Sequence, residues 1–213
     1  MIEIESKLDK SRLTVMPRVV FDGFIEEIDT LEKAEKAIKT LSEEKTVGFD
    51  TETRPSFSKG SSNKIALLQL STLTTAYLFR LNLIDIPDCV AAFLSDKNII
   101  KVGVSVRDDF SSIASRRAIR PDGFVDLPDM CGEMGIEEKG LQKIFAILFG
   151  KKISKNQQLS NWETECLTEG QRQYAAIDAW ACLKIYMRLK ELRESGDYSI
   201  IRNDTEESNI ETR

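Results

Sequence analysis

The feature that most constrains the fold of this chain is a change of hydrophobic rhythm along it. Up to about residue 104, apolar residues come in runs too brief for a buried helix, each ending in polar or turn-forming residues. Phe24-Ile25-Glu26-Glu27-Ile28, Thr46-Val47-Gly48-Phe49-Asp50, Ile65-Ala66-Leu67-Leu68-Gln69-Leu70, Ala76-Tyr77-Leu78-Phe79 and Ile99-Ile100-Lys101-Val102-Gly103-Val104 all read as strands, and Arg18-Val19-Val20-Phe21 is strand-like too. One early helix interrupts them, capped by Asp29 or Thr30, with Leu31, Ala34, Ile38 and Leu41 on one face. Further helices are expected from Cys89 to Leu94 and from about Asp108 to Arg117. After Pro121 and Gly123 the pattern is helical almost to the end, through Leu141, Ile144, Phe145 and Leu148, then Tyr174, Ile177, Ala181, Ile185 and Leu189. Strands first, then a strand–helix unit, then helices predict an α/β fold, a mixed β-sheet of about five or six strands flanked by α-helices. Residues 1–19 read as an N-terminal arm, 20–192 as the domain, and 193–213 as a polar, mobile tail.

A length of 213 residues allows one well-buried domain. Lys and Arg total 30 against 35 Asp and Glu, a net charge of −5, which excludes a basic coat that grips nucleic acid by charge alone. Histidine count is 0, so His-based nucleophile systems, His-ligated zinc and a His general base are excluded. The cysteines, Cys89, Cys131, Cys166 and Cys182, show no C-x-x-C spacing and read as ordinary thiols in a reducing cytosol. The N-terminus is acidic early, and no apolar run approaches the ~18 residues of a membrane span. A soluble cytoplasmic protein with no membrane partner is expected.

Three segments place acids where packing does not call for them. In a strand, Asp50 and Glu52 point to one side and present two carboxylates at the end of a buried-type run. Such a pair repels unless a cation sits between the two, or it is simply a strand end turning into solvent. Asp108 and Asp109 follow a buried strand at a helix start, where capping alone would explain an aspartate. Tyr174 and Asp178 stand one helical turn apart on the apolar face, so Asp178 needs a partner that is a metal ion, a basic group, or Tyr174 itself. Taken together, Asp50, Glu52, Asp109 and Asp178 form a hard oxygen set suited to Mg²⁺ or Mn²⁺.

These segments resemble the 3′–5′ exonucleases with an Asp-Glu-Asp-Asp-Tyr site. They form the branch of the ribonuclease H-like (DnaQ-like) fold that includes ribonuclease D and the Werner-syndrome exonuclease domain. Asp50-Thr51-Glu52 after Val47-Gly48-Phe49 is similar to the first motif, and Lys101-Val102-Gly103 with Asp109 to the second. Leu167-Thr168-Glu169-Gly170-Gln171 leading into Tyr174-Ala175-Ala176-Ile177-Asp178 is similar to the third, with the family's Y-x-x-x-D spacing. The likeness covers roughly residues 20–192, and Ile153 to Glu163 resembles standalone bacterial members that lack ribonuclease D's extra helical domains. With no histidine, Tyr174 takes the position that histidine holds in the other branch.

The resemblance implies hydrolysis of phosphodiester bonds from the free 3′ end of DNA or RNA, with release of nucleoside 5′-monophosphates. It implies two divalent cations, Mg²⁺ or Mn²⁺, on Asp50, Glu52, Asp109 and Asp178, with Tyr174 aiming the attacking water. Thr51, Phe57, Lys155 and Trp162 are candidate substrate contacts, the two aromatics as stacking platforms. Other candidate phosphate contacts are Arg54, Lys59, Lys64, Lys151 and Lys152 and the cluster Arg116, Arg117 and Arg120. The alternative is a nucleic-acid-binding module on the same fold without catalysis.

Overall fold

The structure, a computed structural model, describes residues 1–55 and 63–202. The arm holds β1 (Ile2–Glu5) and a short helix α1 (Lys10–Val15). Strand β2 (Phe24–Ile28) leads into α2 (Leu31–Leu41), whose first turn is capped by Thr30 through the backbone N–H of Lys33. Then come β3 (Thr46–Thr53), β4 (Ile65–Ser71), β5 (Thr75–Arg80), α3 (Leu81–Ile84) and α4 (Asp88–Ser95). The strand–helix unit is β6 (Ile100–Gly103) and α5 (Val106–Arg116), followed by β7 (Phe124–Asp126) and α6 (Leu127–Glu133). The chain closes with α7 (Leu141–Phe149), the long α8 (Glu169–Ser195) and β8 (Tyr198–Ile201).

Six strands form one mixed sheet in the order β2-β5-β4-β3-β6-β7. The β3–β4–β5 meander is antiparallel, while β2 and β5, β3 and β6, and β6 and β7 pair in parallel. The sheet separates two cores. On β3, Val47 and Phe49 point to the side covered by α2, α4 and α5, where Ala34, Ile38, Val90 and Ile113 join them. Gly48, Asp50 and Glu52 alternate to the face covered by α8. All seven residues of β4 are buried, which explains its near-continuous apolar run.

The mixed sheet and flanking helices are as expected, but three local readings differ. Arg18 to Phe21 is not a strand: the segment makes a single bridge, Arg18 to Lys152, with Val19 N–H bonded to the Lys152 carbonyl at 3.0 Å. Strand β7 lies in a stretch whose apolar spacing reads as helical. The expected mobile tail is ordered at its start, since α8 continues to Ser195 and β8 pairs in parallel with β1, Ile4 opposite Ile200. Among the described residues, no helix is long and apolar enough to cross a membrane.

Candidate active site

Close packing of α8 on β3 creates the site. A Cβ placed on Gly48 would lie 1.8 Å from the carbonyl oxygen of Ala179, so only glycine lets the helix lie this near the strand. Asp50 follows Gly48 on the same face, and Asp178 precedes Ala179. The contact that requires the glycine therefore brings the two aspartates together. Carboxylate oxygens of Asp50, Glu52 and Asp178, one from each, all lie within 4.8 Å of one another. They line a cavity of about 350 Å³ with Tyr174, Lys155, Ser154, Gln142 and Gln158.

Each element has a local reason to hold its residue. Helix α8 starts with a capping box in which Thr168 and Gln171 satisfy each other's backbone N–H groups, setting the register that carries Tyr174 and Asp178. The turn from β6 into α5 passes through Ser105 in the left-handed region, φ 57°, and its N–H donates to Asp126 Oδ1 at 2.8 Å. That turn aims Asp109 back toward β3 and leaves Asp108 exposed. The Thr51 hydroxyl donates to Asp109 Oδ1 at 2.5 Å. Asp109 is thus tied to the site through β3, beside the cluster of three.

The electrostatics are those of crowded acids. Burial first, then the charges of Asp178, Glu52 and Asp109, hold the Asp50 carboxyl well above the usual carboxylate range. Burial followed by Asp178 and Asp109 pushes Glu52 up to about 9. Burial raises Asp178 to about 7 against the lowering effects of the Tyr174 hydroxyl and Lys155. Asp109 rises to about 6 through burial, opposed by the Thr51 hydrogen bond. Burial and the charges of Asp178, Glu52 and Asp50 raise the Tyr174 hydroxyl, which stays protonated at neutral pH. The carboxylates of Asp50, Glu52 and Asp178 are unfavourable as anions and close enough to share a ligand, so these three fit a hard divalent cation.

The candidate substrate contacts separate. Lys155 is exposed at the cavity, near enough to Asp178 to affect its charge. Thr51 turns its hydroxyl to Asp109 rather than into the cavity. Trp162 is fully buried against Leu67, Leu78 and Ala175, with its ring 5.9 Å from that of Tyr174, so it is a packing residue with no face free for a base. Phe57 and Lys59 lie outside the described residues. Arg54 pairs with Glu163 at 3.4 Å, while Arg116 and Arg117 hold Asp85 and Asp88 and the carbonyls of Ile65 and Ile86.

Sequence reasoning passed over Gln69. It lies directly across from Asp50 in the β3–β4 ladder, is fully buried, and neither its Oε1 nor its Nε2 has a hydrogen-bond partner among the described residues. Its signal is a lone amide in an otherwise apolar run. Cys182, one turn beyond Asp178, also lines the cavity.

Comparison with known proteins gives the same picture. A family model described as 3′–5′ exonuclease matches residues 25–194. The bifunctional 3′–5′ exonuclease/ATP-dependent helicase WRN of Mus musculus is 30% identical over 179 residues, covering 81% of this chain and 13% of that protein. Exonuclease 3′–5′ domain-containing protein 2 of Drosophila melanogaster is 34% identical over 149 residues, covering 68% of this chain and 25% of that protein. The chain thus spans a quarter or less of these relatives' length. Among solved structures, the Aedes aegypti Nibbler EXO domain matches with a TM-score of 0.73 at 20% identity, over 90% of this chain and 93% of that one. Trypanosoma brucei RNase D, solved in complex with RNA, matches with a TM-score of 0.70 at 20% identity, over 79% and 63%. These two share the ribonuclease H-like fold. With the match running from β2 through nearly all of α8, the chain belongs to the 3′–5′ exonuclease family.

Proposed function

We propose that this chain hydrolyses phosphodiester bonds at the 3′ end of a nucleic acid strand, releasing nucleoside 5′-monophosphates, with residues 20–192 as the catalytic unit. The observation that carries this reading is the gathering of Asp50, Glu52 and Asp178 on the wall of one cavity, beside the Tyr174 hydroxyl. Asp50, Glu52 and Asp178 would hold one divalent cation and Asp50 with Asp109 would help hold a second, Mg²⁺ or Mn²⁺ in each case. Bound there, the cations supply positive charge that eases deprotonation of water and offsets charge on the leaving 3′ oxygen.

The chain's own groups do the rest. Tyr174, kept as a neutral phenol, is a poor base at neutral pH; its hydroxyl donates to Asp178, and its oxygen can accept from one water, fixing that water's line of approach to phosphorus. Thr51 keeps Asp109 from swinging away from the cluster. Lys155 brings an exposed cation to the cavity wall, where an incoming phosphate needs one in a chain of net charge −5. A nucleic acid with a free 3′ end is the partner, and T. brucei RNase D bound to RNA supports it through the shared fold. Four free cysteines support a reducing, cytoplasmic setting.

The test is a digestion panel of single- and double-stranded DNA and RNA with Mg²⁺ or Mn²⁺, run beside Asp50→Ala. The unaltered chain is expected to release 5′-mononucleotides from the 3′ end, and Asp50→Ala to do so about 10³-fold more slowly or worse while melting as a folded protein. Equal release by Asp50→Ala, or binding without release by the unaltered chain, would contradict the reading; the second result would favour a binding module.

A further inference from the structure

Strand β4 is apolar except at Gln69 and at Ser71, whose hydroxyl donates to the Thr72 carbonyl at 2.6 Å. Gln69 has no such outlet. Its side chain is fully buried, and neither Oε1 nor Nε2 makes a hydrogen bond among the described residues. An apolar residue of similar size would suit the metal-free fold better, so packing gives no reason for an amide at this position. Sealed from solvent, the amide cannot touch a substrate. Whatever it contributes passes through a neighbour.

That neighbour is Asp50. The two residues are directly opposed in the antiparallel β3–β4 ladder, so their side chains stand on one face, with Cβ atoms about 4.5–5.5 Å apart. This span lets a side-chain amide N–H reach a carboxylate. The other two aspartates of the site each meet a side-chain hydroxyl: Thr51 donates to Asp109, and Tyr174 donates to Asp178. Asp50 meets the backbone N–H of Thr51, and Gln69 brings a buried amide donor beside it. The side of Gln69 away from Asp50 holds a donor for the other end of the amide. Leu78 opposes Gln69 on β5, and Leu67 precedes it by two on the same face. Trp162 shares a packed cluster with both leucines, its Nε1–H buried and unpaired among the described residues. An amide turned with Nε2 to Asp50 presents Oε1 to that side.

We propose that Gln69 is the positioning residue of Asp50: when a divalent cation occupies the cluster, Gln69 Nε2–H donates to the Asp50 carboxylate and fixes the oxygen that faces the cation. The inference rests on the exonuclease reading above, in which Asp50 serves both cations. A carboxylate bound to a cation accepts hydrogen bonds only, and its remaining lone pairs are buried here, where an unpaired N–H satisfies them. Partners that orient a ligand in this way set metal affinity by about 10- to 100-fold. The amide is thus unfavourable in the empty chain and favourable in the loaded one.

The test is calorimetric titration of the full chain with Mn²⁺, without nucleic acid, beside thermal melting in EDTA. Gln69→Leu keeps most of the volume and removes the donor; Gln69→Asn keeps an amide and leaves a gap. Mn²⁺ affinity is expected to fall about tenfold or more in Gln69→Leu and by less in Gln69→Asn. The melting temperature in EDTA is expected to fall in Gln69→Asn and not in Gln69→Leu. These opposed orders separate positioning from packing, because a packing role would rank both properties alike. Gln69→Met, also apolar and close in size, takes the place of Gln69→Leu should that variant not fold. Mn²⁺ affinity unchanged in the apolar variant, or lowered more in Gln69→Asn than in the apolar variant, overturns the proposal and leaves the exonuclease reading standing. An unaltered chain that takes up no Mn²⁺ overturns the cation site itself, and this proposal with it.

Discussion

Gln69 sits opposite Asp50 with two buried polar atoms that have no partner among the described residues. Each such atom costs free energy that an apolar side chain of similar size would not, so Gln69→Leu is expected to stabilise the metal-free chain by about 1–2 kcal/mol. Urea denaturation measures this, and a loss of stability would mean that the amide has a partner in solution. At this scale the sequence is informative where a short spacing rule applies. Period-two alternation puts Asp50 and Glu52 on one face, and i,i+4 spacing puts Tyr174 over Asp178, and both hold in the structure. Rules of that kind cannot tell a stacking tryptophan from a packing one. Trp162 is decided by the distant residues Leu67 and Leu78, which no local pattern links to it. Thr51 follows the same logic: its hydroxyl finds Asp109 on α5, far along the chain, through a contact that no local pattern announces.

Among elements, α8 against β3 is the contact on which the site depends. Gly48→Ala would drive a methyl into the Ala179 carbonyl, which belongs to the helix backbone and cannot move alone. The expected result is a destabilisation of about 3 kcal/mol together with loss of Mn²⁺ binding, because separating helix from strand pulls Asp178 off Asp50. Calorimetry and a Mn²⁺ titration read the two effects, and an unchanged protein would refute this account of the glycine. Losing the cap is milder: Thr168→Ala should lower stability by about 1 kcal/mol, measured by thermal melting, since α8 is also held along its buried face. Most elements were legible from local pattern: brief apolar runs bounded by turn residues for the strands, and helical spacing of apolar residues for α2, α7 and α8. The misreadings share one cause. Strands β7 and β8 are short and gain their identity from neighbours, β6 and β1, that lie far off in sequence or in the opposite terminus. Arg18 to Phe21 has strand composition but meets only Lys152 at a single bridge.

For the molecule as a whole, the crowded acids couple folding to pH and to cations. Asp50, Glu52, Asp109 and Asp178 all have folded-state pKa values above their ordinary ones, reaching about 6 for Asp109, about 7 for Asp178 and about 9 for Glu52. The folded chain therefore holds more protons than the unfolded chain across that window. Their contribution to stability is complete at the acid end and is lost as pH rises through those values. Lys101 acts with the opposite sign: burial lowers its ammonium to about 8, so its contribution grows only above that pH. In EDTA, the melting temperature is thus expected to fall between about pH 5 and about pH 8, and Glu52→Gln should flatten the fall. A cation in the cluster replaces the protons, so saturating Mn²⁺ should raise the melting temperature most at the alkaline end. A hundredfold excess over Kd adds about 2.7 kcal/mol. Differential scanning calorimetry across this range checks both signs at once. A melting temperature that climbed with pH in EDTA, or one indifferent to Mn²⁺ at pH 8, would mean that the four acids do not act as one site. The coupling also explains how so acidic a pocket can persist in a folded chain: it is tolerable when protonated or metal-loaded, and the unoccupied anionic form is the one the fold resists.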